Sequence, residues 1–133
     1  MNPAEIVNEM YVNDPFSQWL GIEILEVKEG SCRLQMKIRK EMLNGFALAH
    51  GAITYAIADS ALAFAANSYG KKSLSVDTSI NHIESLKEGD VIVAEAFCES
   101  LKNKFALFRI EIKKEDVVVA IFRGTVYRSE KEW

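Results

Sequence analysis

Cysteine, histidine and proline are scarce in this sequence, with two of each among 133 residues. Cys32 and Cys98 sit in strand-like stretches, "SCRLQMKI" and "AEAFCES". Two thiols are too few for a disulfide framework, and they read as reduced, half-buried side chains. With only His50 and His82, and no CxxC, HExxH or His/Cys cluster, no structural or catalytic metal is expected. Excess basic charge is lacking too. The net charge of −3 excludes a general binder of nucleic acid or anionic membranes. The first ten residues, "MNPAEIVNEM", have neither a basic start nor an apolar core, so no signal peptide is expected and the default location is cytoplasmic. Linkers, repeats and low-complexity tracts are absent, and the length suits one domain over residues 1–133.

What is present alternates in character along the chain. "NPAE" offers Asn2 as an N-cap, Pro3 at the first helical position and Glu5 three residues after the cap, predicting a short helix through Met10. "NDPFSQWLG" predicts a second turn of helix begun by Asp14 and Pro15. From Ile22 the period becomes two. "GIEILEVKEGSCRLQMKIRK" reads as two strands joined at Glu29–Gly30, with Cys32, Leu34, Met36 and Ile38 on one face. A long helix is predicted from about Gly51 to Tyr69, closed by Gly70. Four strand-like runs follow: "SLSVDTSINHI", "DVIVAEAFCESL", "FALFRIEIKK" and "VVVAIFRGTVYR". The turns "KEGD", "KNK" and "KED" separate them, which predicts an antiparallel meander. The expected architecture is α+β, one long helix wrapped by a six-stranded antiparallel sheet.

The long helix sets the functional question. Twelve of the fifteen residues from Ala52 to Ala66 are apolar, and the exceptions are Thr54, Asp59 and Ser60. A lone buried carboxylate costs several kcal/mol unless paired, hydrogen-bonded or neutral. Asp59 is therefore either a structural aspartate meeting a neighbouring loop or ion, or a functional carboxylate. A central carboxylate and many alanines also argue against a membrane span. His50 and Gly51 precede the apolar run, where the first backbone N–H groups have no intrahelical partner and can hold an anion or a developing oxyanion. The alternative is that Gly51 merely eases the chain into the helix and His50 is a core histidine. Gly51 and Asp59 are eight residues apart, about 12 Å along one helix, too far to act on one carbonyl. The helix also lacks a polar outer face, and the chain holds no second sheet to cover it. Both observations predict a dimer with sites between subunits.

"NGFALAHGAITYAIADSALAFAANS" resembles the central motif of hotdog-fold acyl-CoA thioesterases, in particular the phenylacetic-acid-degradation (PaaI-like) type. "NDPFSQWLGIEI" and "SVDTSINHI" resemble the same family, so the likeness covers most of the chain. The resemblance implies a hotdog fold, assembled as homodimers or homotetramers, that hydrolyses acyl-CoA without a metal or other cofactor. It implies that Asp59 is the nucleophile or general base, that the Gly51 N–H polarises the thioester carbonyl and that His50 supports this turn. Asn44 would lie near the thioester, and Ser75 would help orient the attacking water. Two departures stand out: Ala52 replaces the second glycine of a frequent His-Gly-Gly, and Glu84 and Ser85 replace a proline found in many relatives. Lys71, Lys72, Lys102 and Lys104 are candidates to meet coenzyme A phosphates or are simply solvated turn residues. A non-catalytic acyl-CoA sensor and a dehydratase on the same fold are the alternative functions.

Overall fold

A computed structural model describes residues 1–133. Helix α1 spans Pro3–Val12 and begins with a reciprocal cap. The Glu5 N–H donates to Asn2 Oδ1 at 2.8 Å, and the Asn2 N–H donates to Glu5 Oε1 at 2.9 Å. Helix α2, Pro15–Leu20, is capped by Asp14 and stopped by Gly21 in the left-handed region, φ +75°. Strands β1 (Glu23–Lys28) and β2 (Ser31–Lys37) form the expected hairpin. The hairpin turns through Gly30 at φ +81°, whose N–H donates to Ser68 Oγ at 2.7 Å. Helix α3 runs Gly51–Asn67, two residues shorter than predicted, with Ser68 as C-cap and Gly70 at φ +103° completing the exit. Strands β3 (Lys71–His82), β4 (Val91–Leu101), β5 (Phe105–Lys114) and β6 (Val117–Glu132) follow.

The six strands form one antiparallel sheet in the order β1-β2-β4-β5-β6-β3. This corrects the expectation of a meander through all the later strands. Only β4, β5 and β6 are joined that way, while β3 lies at the far edge beside β6. The reason is the connection between β2 and β3, which is no tight turn: residues 38–70, α3 among them, carry the chain to the far edge, and β4, β5 and β6 fill the space left between. Alternation in a strand specifies which face is buried but not which strand is its neighbour.

Helix α3 lies on the concave face, packed through Ile57, Leu62 and Phe64 against Leu34, Ile92, Phe108, Ile110 and Phe122, all buried. Its outward stripe is Ala52, Tyr55, Ala56, Asp59 and Ala63, which are exposed or half-buried. No helix is long and apolar enough to cross a membrane.

Gly30 offers a test of the hairpin. Its left-handed backbone costs a residue with a Cβ about 1–2 kcal/mol, and an added methyl would overlap the Tyr69 ring. Gly30→Ala is expected to lower stability by about 1–3 kcal/mol in urea titration, and Tyr69→Phe in that background to recover part of it. An unchanged midpoint would contradict the packing described.

Candidate active site

The expected residues fall into two groups at different turns of α3. The first gathers at the start of the helix. Residues 43–49 form a tight loop closed by a bridge between Leu43 and Ala49. Asn44 organises this loop: its Oδ1 accepts from the Phe46 N–H at 2.8 Å and the Leu48 N–H at 3.2 Å. Both acceptor positions of that oxygen are used, so the free amide N–H groups are what Asn44 can offer a ligand. Ala47 takes a left-handed conformation, φ +59°, to complete the turn.

His50 is the N-cap of α3, not a core histidine. It is exposed, and its Nδ1 accepts from the Ala52 N–H at 3.0 Å. The Ile53 N–H donates to the His50 carbonyl at 2.9 Å. Of the first three helical N–H groups, Gly51's alone makes no hydrogen bond. Ala52 in place of a second glycine thus donates its N–H to the cap.

A cavity of about 290 Å³ opens beside this turn, lined in part by Asn44, Thr54, His82, Glu84 and Leu86. His82 is the addition that sequence reading assigned no role. Its Nδ1 lies 3.3 Å from Thr54 Oγ1, and its Nε2 would be 3.2 Å from a Cβ placed on Gly51. Alternation along β3 puts His82 on the same face as Thr78 and Ile80. The helical turn it meets follows only from β3 lying beside β6.

The second group is two turns further along α3. Asp59 and Ser75 line one cavity of about 170 Å³ with Leu62, Ala63, Ser73, Leu74 and Val126. Asp59 has no hydrogen bond and no ion pair. Its tip is open in the single chain, yet surrounding protein raises its pKa above the ordinary carboxylate value by desolvation. Thr54 and Ser60, the other polar exceptions between Ala52 and Ala66, are both partnered. The Ser60 hydroxyl meets that of Ser17 at 2.8 Å, which in turn donates to Asp14 at 2.6 Å. Among the candidate lysines, Lys71 reaches Asn103 in the 102–104 turn at 3.2 Å, and Lys72 lies over the Trp133 ring.

One chain therefore holds an unpartnered N–H at a helix start and an unpartnered carboxylate eight residues later, on a helix cradled by a curved antiparallel sheet. This is the hotdog fold of thioesterases. Residues 46–121 match the Thioesterase superfamily. The acyl-coenzyme A thioesterase PaaI of Escherichia coli K12 is 32% identical over 120 residues, 90% of this chain and 86% of that one. A protein of Archaeoglobus fulgidus with a provisional esterase name is 39% identical over 125 residues, 93% of this chain and 81% of its own. The structure of the E. coli PaaI protein superposes with a TM-score of 0.95 at 30% identity, covering 98% of this chain and 95% of that chain. The chain belongs to the thioesterase superfamily.

The unpaired carboxylate has a consequence for stability. With its pKa raised, Asp59 holds its proton to higher pH in the folded chain than in the unfolded one. Its contribution is fully present below the unfolded value and is lost as pH rises through the folded value. Asp59→Asn is expected to melt at the same temperature as wild type, or higher, at pH 7. It should also lack the part of the wild-type decline that occurs in that acidic window. A clearly lower melting temperature at pH 7 would show that the charge is stabilising.

Proposed function

We propose that this thioesterase hydrolyses acyl-CoA to the free acid and coenzyme A in a site shared by two copies of the chain. The observation that carries the reading is the arrangement of the outward stripe of α3. Small residues, the free Gly51 N–H and the unpaired Asp59 lie along it, and β3 beside it is an unprotected edge. Leu74 and Val76 on that edge are 78% and 59% exposed, with no lysine or proline between Ser73 and His82 to deter pairing. Antiparallel pairing of β3 with its copy sets the two α3 helices side by side and antiparallel. Gly51 of one chain then faces Asp59 of the other, as the helical spacing requires.

In this site the substrate carbonyl oxygen accepts from the Gly51 N–H, reinforced by the positive end of α3. Asp59 of the second copy takes a proton from a water that the neighbouring Ser75 hydroxyl holds, and the water oxygen bonds to the carbonyl carbon. Collapse of the intermediate breaks the C–S bond and releases the coenzyme A thiolate, which recovers the proton. The amide of Asn44 borders the thioester, and His50 keeps the first turn in place. Support for coenzyme A as the carrier comes from the E. coli relative's name. The family resemblance favours aryl-acetyl or medium-chain acyl groups. A homotetramer, also implied by it, has an apolar surface available in the exposed side chains of Phe97, Phe105, Leu107 and Tyr127. We place the enzyme in the cytoplasm, where its two free cysteines stay reduced.

Two tests address the roles. Gly51 is the first helical residue, and His50 before it has ψ 138°, so proline fits position 51 without disturbing the helix while removing the N–H. Gly51→Pro is expected to lower kcat about 100-fold or more on acyl-CoA. Gly51→Ala, which keeps the N–H but meets His82, should lose less. Equal losses in the two variants would remove the N–H from catalysis. Absence of coenzyme A release by wild type across aromatic and straight-chain substrates would leave the sensor reading.

Sharing of the site is tested by mixing. Gly51→Pro and Asp59→Asn homodimers should both be inactive. In a mixed dimer, one of the two sites combines the intact Gly51 of one chain with the intact Asp59 of the other. An equal, co-refolded mixture should therefore recover about a quarter of wild-type activity, since half the dimers are mixed. No recovery despite confirmed subunit exchange would place the site within one chain.

A further inference from the structure

We propose that His82 is a second hydrogen-bond donor to the reacting carbonyl oxygen, acting beside the Gly51 N–H. The inference rests on the thioesterase reading above and adds a residue to its oxyanion site.

Three observations converge. Of the His82 ring atoms near Gly51, Nε2 is the closest, 3.2 Å from the Cβ position. By standard bond lengths that position is about 2.5 Å from the Gly51 nitrogen, so Nε2 lies within about 6 Å of the nitrogen. A single oxygen atom can then hydrogen-bond to both. Next, the other ring nitrogen is occupied: Nδ1 faces the Thr54 hydroxyl at 3.3 Å and has no further partner. The same hydroxyl is also 3.1 Å from the Gly51 carbonyl, to which it can donate. In the proposed site the hydroxyl donates to Nδ1 instead, and the neutral ring carries its own hydrogen on Nε2. Finally, His82 and Thr54 line the same cavity as Asn44, so a ligand entering it meets His82. Glycine at 51 leaves room for the imidazole to come this close.

The hydrolysis itself is unchanged: water supplies the new C–O bond, the C–S bond breaks, and no proton leaves His82. The imidazole donates a hydrogen bond that strengthens as negative charge develops on the carbonyl oxygen. Thr54 is a positioning residue that fixes the tautomer.

His82→Phe keeps a ring against Gly51 without a donor, and His82→Gln returns an N–H group at similar reach. His82→Phe is expected to fold with a near-native melting temperature and to lower kcat about 100-fold with little change in KM. His82→Gln should stay within about tenfold of wild type. A second readout is independent of turnover: the infrared carbonyl stretch of a bound acyl-CoA analogue in which a methylene replaces the thioester sulfur. The stretch should lie at lower frequency in wild type than in His82→Phe. The same stretch in both proteins, or unaltered kcat in His82→Phe, would overturn the assignment of His82 alone. Failure of wild type both to bind the analogue and to release coenzyme A would overturn the thioesterase reading, and this inference with it.

Discussion

Helix α3 can be buried by its own chain on only part of its circumference, and the rest of the architecture answers that constraint. The sheet curls around the inner face, so Ile57, Leu62 and Phe64 are fully enclosed. The outer stripe is then made of alanines, one tyrosine and one aspartate, and apart from Tyr55, which meets Phe122 and Thr78, the chain leaves it exposed or half-buried. Burial of apolar surface contributes roughly 25 cal/mol per Å², so a surface of this kind beside a bare strand edge favours association. Small side chains also permit the close helix approach that an antiparallel pair needs. In the proposed dimer, the contact that finishes the fold also assembles the site.

Accounting for polar groups in α3 separates structure from chemistry. Ser60 belongs to a buried hydroxyl pair with Ser17, and through it to the Asp14 cap of α2, which fastens the small helix to the long one. Thr54 reaches the Gly51 carbonyl and the His82 ring. Asp59 has neither kind of partner, and protein around it disfavours its charge. Its tip is open to water in the single chain, and covering the apolar stripe would leave the carboxylate to be satisfied by a ligand or a second copy, as in the proposed site. The same reasoning applies at the helix start, where His50 and its carbonyl take two N–H groups and Gly51's is left over.

Much of this was legible in the chain because local rules govern it. The Asn2–Glu5 box, the Asp14 cap, the turn at Gly30 and the beginning of α3 at Gly51 all depend on residues within a few positions of one another. Strand pairing does not. The alternation of "SLSVDTSINHI" is the same whether β3 neighbours β2 or β6, so its edge position could not be read from it. His82 went unassigned for the same reason: its partners, Gly51 and Thr54, are set by that placement. Asp59 stood out because a carboxylate in an alanine-rich helix conflicts with burial wherever the helix lies. The resemblance to hotdog thioesterases contributed Ser75, which no local rule singles out, and the structure puts it in the lining of the cavity of Asp59.

Strand β3 ties these threads together. It runs antiparallel to α3, so its two ends meet different turns of the helix: Ser75 beside Asp59, and His82 beside Gly51. A register slip of one residue would turn both side chains away from the helix at once. The long ladder to β6 opposes such a slip, and the irregularity between Ser75 and Asp77 is accommodated within it. In the proposed pair, antiparallel contact between two β3 strands carries Ser75 of one chain toward His82 of the other. The twofold axis performs the same exchange on α3, bringing Asp59 toward Gly51. Strand and helix thus deliver matching halves to each site, which a single chain cannot do because its own halves sit about 12 Å apart along the helix. The geometry that separates the proposed catalytic groups within a chain is therefore what would allow a symmetric pair to reunite them.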